Sequence, residues 1–195
     1  MSRLALATSL IIVAATTVGC SEPSSGTAVP SPSTTSGTTS KQPSSKPSTP
    51  PRPREIRLVG KDPCTLIPQS DWTKFHIEKP GKARVRETTK SPDCFFSTDV
   101  GSFSVTTVVT EGVATWLDGS RNAEAKETDP VAGFPALKIT LGDRDFGCNV
   151  AVDVADGQYL WTTVILDDSK VDELPERCEY AHQLAESAMK TLVGS

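Results

Sequence analysis

Between Ser21 and Arg54 the chain is almost wholly Ser, Thr, Pro, Gly and Lys, with Val29 its only sizeable apolar residue and eight of the chain's 15 prolines. Such a stretch cannot bury enough apolar surface to offset the entropy of ordering it, so it reads as a disordered tether outside any core. Folding is thereby confined to residues 56–195, a common size for one domain with one core. As a flexible coil the tether would span roughly 30–35 Å, and as extended polyproline II about 100 Å. Its Ser and Thr beside Pro also suit O-linked sugars.

Ahead of the tether, Leu4 to Gly19 form an apolar run behind the lone Arg3, the plan of a secretory signal peptide over residues 1–19. The run is short for the roughly 20 residues of a membrane-spanning helix, and Thr8, Ser9, Thr16 and Thr17 dilute it. Thr17-Val18-Gly19-Cys20 resembles the lipobox of bacterial lipoproteins, with Thr17 where that motif usually carries leucine. The resemblance implies cleavage before Cys20, diacylglycerol on its thiol and acylation of the new N-terminus. One acyl chain binds a bilayer only marginally, at about 0.8 kcal/mol per buried methylene, so stable anchoring takes two or three. The expectation is a protein lipid-anchored at the extracytoplasmic face of a cell membrane, with the lipidated Cys20 and tether (residues 20–55) carrying the domain.

From Glu55 on there are 15 Lys/Arg against 23 Asp/Glu, a net of −8. Such a domain is a poor partner for nucleic acid and is repelled by anionic headgroups. Lys74, Lys79, Lys82, Arg84, Arg86 and Lys90 nevertheless cluster along the chain. They read as a solvated strand with its flanking loops, or as a patch for an anionic ligand or wall polymer.

Asp62-Pro63 places a capping residue before a first helical proline, predicting one turn over Cys64 to Leu66. Pro68 opens a second short helix to about Phe75, with Trp72 and Phe75 on one face. Strands are expected over Ala83 to Thr88, Asp93 to Thr98 and Ser102 to Thr110. In the last of these Phe103, Val105 and Thr107 alternate with Ser104, Thr106 and Val108. Glu111 to Leu117 suggests a short helix stopped by Gly119. After Asp129-Pro130, strands are expected over Phe134 to Leu141 and Cys148 to Ala155. Asp156-Gly157 is a strong hairpin signal leading into a strand from Gln158 to Leu166. Cys178, Ala181, Ala185, Ala188 and Leu192 recur at three and four residues, predicting a helix from about Leu174 to Leu192. The order predicts an α+β fold: an antiparallel sheet of five to seven strands, with a short N-terminal helix and a longer C-terminal helix packed on it.

Cys64, Cys94, Cys148 and Cys178 remain once Cys20 is set aside, and an even number in an exported chain reads as two disulfides. Three pairings are open. Equal 30-residue spans, and the pinning of each terminal helix to a strand, favour Cys64–Cys94 and Cys148–Cys178. No two of them have a C-x-x-C zinc spacing.

Several features together resemble domain of unknown function 3558: Asp62-Pro63-Cys64-Thr65-Leu66, Cys94 followed by aromatics, and Gly133-Phe134-Pro135-Ala136, with Cys148 in a strand and Cys178 ahead of Ala181 and Leu184. That family comprises actinobacterial lipoproteins, so the resemblance implies an actinobacterial cell-envelope location. It brings no reaction and no ligand.

Reactive groups are sparse. His76 and His182 have no second histidine or cysteine beside them to make a metal set, and no nucleophile elbow, P-loop or dinucleotide fingerprint is present. Asp143 and Asp145, and Asp167-Asp168, offer clustered oxygens without the EF-hand pattern. Trp72, Trp116, Tyr159 and Trp161 are candidates to line a ligand cleft, with core packing the competing role of each. The residues point to a non-enzymatic module that needs no cofactor and binds a small molecule, lipid, glycan or envelope protein. The alternatives are a hydrolase of wall glycan or lipid, and an accessory subunit of an envelope complex.

Overall fold

The computed structural model describes residues 50–142, 147–170 and 174–195. All of these fall in one compact unit, Ser44–Ser195. The leader, Cys20 and most of the tether lie outside the described residues, as do Asp143 and Asp145.

Seven strands form one sheet: β1 (Lys82–Arg86), β2 (Ser91–Thr98), β3 (Gly101–Val108), β4 (Ala123–Val131), β5 (Phe134–Leu141), β6 (Cys148–Ala155) and β7 (Gln158–Leu166). They lie in the order β1-β2-β3-β7-β6-β5-β4, and every neighbouring pair is antiparallel. The sheet is thus two meanders, β1–β3 and β4–β7, joined where β7 pairs with β3 from Gly101↔Leu166 to Val108↔Tyr159. Gly101 has φ of 140°, and a Cβ there would stand 2.3 Å from the Ile165 carbonyl oxygen, so only glycine lets the β2–β3 turn sit this close to β7.

The one α-helix among the described residues, α1 (Arg177–Gly194), covers one face of the sheet. It begins three residues later than Leu174, after Pro175, with the Glu176 carboxylate capping the amides of Cys178 and Glu179. Ala181, Leu184, Ala185, Ala188, Met189 and Leu192 are buried against Phe103, Val105, Val150, Val152, Leu160 and Val164. At this interface the Thr162 hydroxyl donates to the Ala181 carbonyl at 3.0 Å.

The cysteines pair as Cys64–Cys94 and Cys148–Cys178, each closing a separation of 30 residues. The first fastens the segment before the sheet to β2; the second fastens the start of α1 to the start of β6.

Three expectations are corrected. The turn expected over Cys64 to Leu66 is present as a 3-10 turn, Pro63–Thr65, capped by Asp62 accepting from the Cys64 amide at 2.9 Å, but the second short helix expected from Pro68 to Phe75 is only a 3-10 turn, Gln69–Asp71. A third 3-10 turn, Val113–Trp116, stands where a helix over Glu111 to Leu117 was expected. Finally, Ala123–Val131 is a strand although Asp129-Pro130 reads as a break. β4 is at the sheet edge, where a missing proline N–H removes no ladder bond, and its register shifts between Thr128 and Val131.

Candidate functional site

Strand alternation sends one set of side chains away from α1, and the register aligns them in rows across this second face. One row runs Arg84–Asp93–Thr106–Trp161–Ala151, and the next runs Lys82–Phe95–Ser104–Thr163–Asn149–Ile139. The rows alternate charged, hydroxyl and aromatic groups, which is unlike either a plain core or a plain solvated face.

At one end lies a buried ionic network. Asp93 is wholly buried, and its carboxylate meets Arg84 Nε at 2.5 Å, Arg86 Nη2 at 3.2 Å and the Thr106 hydroxyl at 2.5 Å. Arg86 also donates to Thr106 at 2.8 Å, Ser104 at 2.5 Å and Thr163 at 3.2 Å, which ties β1 to β3 and β7. Burial pulls the Arg86 pKa below its ordinary value, and the Asp93 charge opposes that pull. The network continues through Thr163, which accepts from Trp161 Nε1 at 2.7 Å and donates to Asn149 at 2.9 Å. Asn149 donates in turn to the Ile139 carbonyl at 3.1 Å.

The middle of the face is roofed by the Val113–Trp116 turn. Trp116 packs on Trp161 with ring centroids 4.6 Å apart, and the Arg121 guanidinium lies 4.2 Å from the centroid of the Trp116 ring. Trp116 Nε1 donates to the Tyr159 hydroxyl at 2.9 Å, and that hydroxyl donates to Glu111 at 2.8 Å. Glu111 is also ion-paired with Arg121. Burial and the Glu111 carboxylate push the Tyr159 pKa well above the ordinary phenol range.

Of the four aromatic residues singled out in the sequence, Trp116, Tyr159 and Trp161 therefore meet in one cluster. They are buried under the turn rather than lining open space. Trp72 does not join them: it packs on the α1 side, with its Nε1 donating to the Ile67 carbonyl at 3.4 Å. The Val113–Trp116 3-10 turn, far in sequence from the β7 strand that carries the other two, is what brings Trp116 to them. Asp93, Arg86 and Thr106 were not singled out individually as site residues. Charges spaced two apart at Arg84 and Arg86, facing a lone acid within the next apolar strand, were the legible signal.

The remaining candidates scatter. His76 Nδ1 lies 3.3 Å from Asp99, and His182 Nε2 lies 3.0 Å from the Asp129 carbonyl oxygen. Asp167 accepts from Ser169, and Asp168 pairs with Arg177. No group of three metal-ligating side chains occurs among the described residues, nor any helix long and apolar enough to cross a membrane. An acidic recess of about 440 Å³ between α1 and the β4–β5 edge is lined by Asp129, Glu176, Glu179, His182 and Glu186, with Lys138 on its wall.

The chain belongs to the family described as Protein of unknown function (DUF3558), whose model matches residues 15–191. No curated protein and no solved structure matches it.

Proposed function

We propose that this protein is a lipid-anchored lipoprotein of the bacterial cell envelope that works outside the cytosol as a non-enzymatic binding module. Its anchor is Cys20 and its binding surface is the sheet face turned away from α1. The observation that carries the binding role is the Arg86–Asp93 network set beside the Trp116–Trp161 stack on neighbouring strands. A face that only needed solvation would not bury the Asp93 carboxylate against the largely buried Arg86 guanidinium, because desolvating such ions costs several kcal/mol and apolar packing would stabilise as well. Holding polar and aromatic groups on strands fixes their geometry before any ligand arrives. The two disulfides support an oxidising, extracytoplasmic location, and the lipobox-like Thr17 to Cys20 supports the anchor.

Native mass spectrometry of the protein purified from its own envelope tests this reading. The expected spectrum shows a chain beginning at Cys20, carrying acyl mass, with a retained small molecule or partner. An unprocessed N-terminal methionine would overturn the anchoring, and turnover of a glycan or ester by the pure protein would replace the binding module with a hydrolase.

A further inference from the structure

At the β1 edge of the same face one guanidinium is held but not used up. Arg84 Nε donates to the buried Asp93 carboxylate at 2.5 Å, and the guanidinium carbon sits 4.4 Å from the centroid of the Phe95 ring. Those two contacts fix the position and plane of the group, yet its side chain is still 47% exposed. Its two terminal nitrogens make no hydrogen bond to the described residues. Lys82 stands on the same face directly across from Phe95, exposed and without an ion pair among the described residues. A fixed guanidinium fork and an exposed ammonium thus lie beside one aromatic ring. Ser97 and Ser102, paired in the next row, add hydroxyls beside it.

Resting on the binding-module reading above, we infer that Lys82 and Arg84, beside Phe95, form a recognition point for the phosphodiester groups of a glycerol- or sugar-phosphate polymer. A planar fork grips two oxygens of an oxyanion side by side, while a lysine acts as a point charge that suits a third oxygen out of that plane. Beyond the two non-bridging oxygens held by the fork, a tetrahedral phosphodiester offers such an oxygen as an ester oxygen, and planar carboxylate offers none. The Phe95 ring, with the Arg84 guanidinium 4.4 Å from its centroid, adds apolar surface beside the cations for the uncharged glycerol or sugar unit. Since the folded part carries a net charge of −8, its overall field repels a polyanion, and the contact depends on these local groups rather than on bulk attraction.

Titration calorimetry of the full chain in non-ionic detergent tests the inference, with poly(glycerol phosphate), poly-glutamate and anionic phosphatidylglycerol vesicles as probes. The expected result is saturable binding of poly(glycerol phosphate) that weakens about tenfold or more in Arg84→Lys, which keeps the charge but loses the fork. Lys82→Gln, at an exposed site that cannot unfold the domain, should also weaken it, and Lys126→Gln on the opposite sheet edge should not. Unchanged affinity in both Arg84→Lys and Lys82→Gln would overturn the assignment, as would equal binding of poly-glutamate, binding of the vesicles alone, or no saturable binding. A different ligand retained from the envelope and insensitive to Arg84 would remove this inference while leaving the binding module standing.

Discussion

Asp93 has no water to face, and its carboxylate is shared by Arg84, Arg86 and Thr106. Asp93→Ala would leave Arg86 buried without a counter-charge, an expected loss of about 3–5 kcal/mol in urea unfolding. The Asp93→Ala/Arg86→Met double variant should lose less than the two single variants together, since the one charge then left without a partner, Arg84, is half-exposed rather than buried. Two buried tyrosines should respond in opposite directions. Tyr159→Phe removes the oxygen that accepts from Trp116 and the hydroxyl that meets Glu111, leaving a buried indole N–H unpaired at a cost of about 1–3 kcal/mol. The Tyr180 hydroxyl is buried with no partner among the described residues, so Tyr180→Phe should hold or raise stability at neutral pH. Burial, with the Asp99 charge adding to it, pushes the Tyr180 pKa up to about 12. A phenol raised above its unfolded value contributes stability that is complete below about pH 10 and disappears as pH climbs through the folded value. Unfolding at about pH 9 and about pH 11 should therefore show an alkaline loss that Tyr180→Phe reduces.

Among the elements, the disulfides act as staples between segments distant in sequence. Each closes a 30-residue separation, for which chain entropy gives about 3–4 kcal/mol. Replacing Cys148 and Cys178 by alanine should lower the unfolding midpoint accordingly and loosen the N-terminal turn of α1, read as faster amide exchange there. Gly81 lies so close to the other bridge that an added Cβ would stand 2.3 Å from Cys94 Sγ and 2.8 Å from the Phe96 ring. Gly81→Ala should destabilise although the site is a loop, and a normal melting curve for it would contradict the packing described. The strands with alternating or continuous apolar sequence, β3, β5, β6 and β7, were legible in the chain because their side chains meet the core at a period of two. β4 was not, because an edge strand with mostly exposed, charged residues lacks that contrast. The turn read from the Asp62 cap forms, whereas the second short helix expected from Pro68 to about Phe75 is only the 3-10 turn Gln69–Asp71, because its N-cap, Pro68, supplies no side-chain cap.

At the scale of the molecule, the stretch assigned to the tether is fastened to the domain before its end. Arg52 reaches Asp153 at 2.8 Å and Asp156 at 2.5 Å, Arg54 donates to the Val193 carbonyl, and the Ile56 amide donates to the Val154 carbonyl at 2.8 Å. Arg52→Ala should free this strap, and limited trypsin digestion should then cut after Arg54 and Arg57 several-fold faster. The amino-acid sequence by itself determined the antiparallel α+β class and the presence of two disulfides. Those features follow from residue periodicity and from the count of thiols, both of which are local properties of the chain. Only the tertiary structure decided that β7 lies beside β3, that Trp116 roofs Trp161 while Trp72 goes to the other face, and that Arg84 and Arg86 share one buried carboxylate. Such pairings depend on strand order and register between segments far apart in sequence, where many arrangements bury the same apolar residues and only side-chain fit across the assembled sheet separates them.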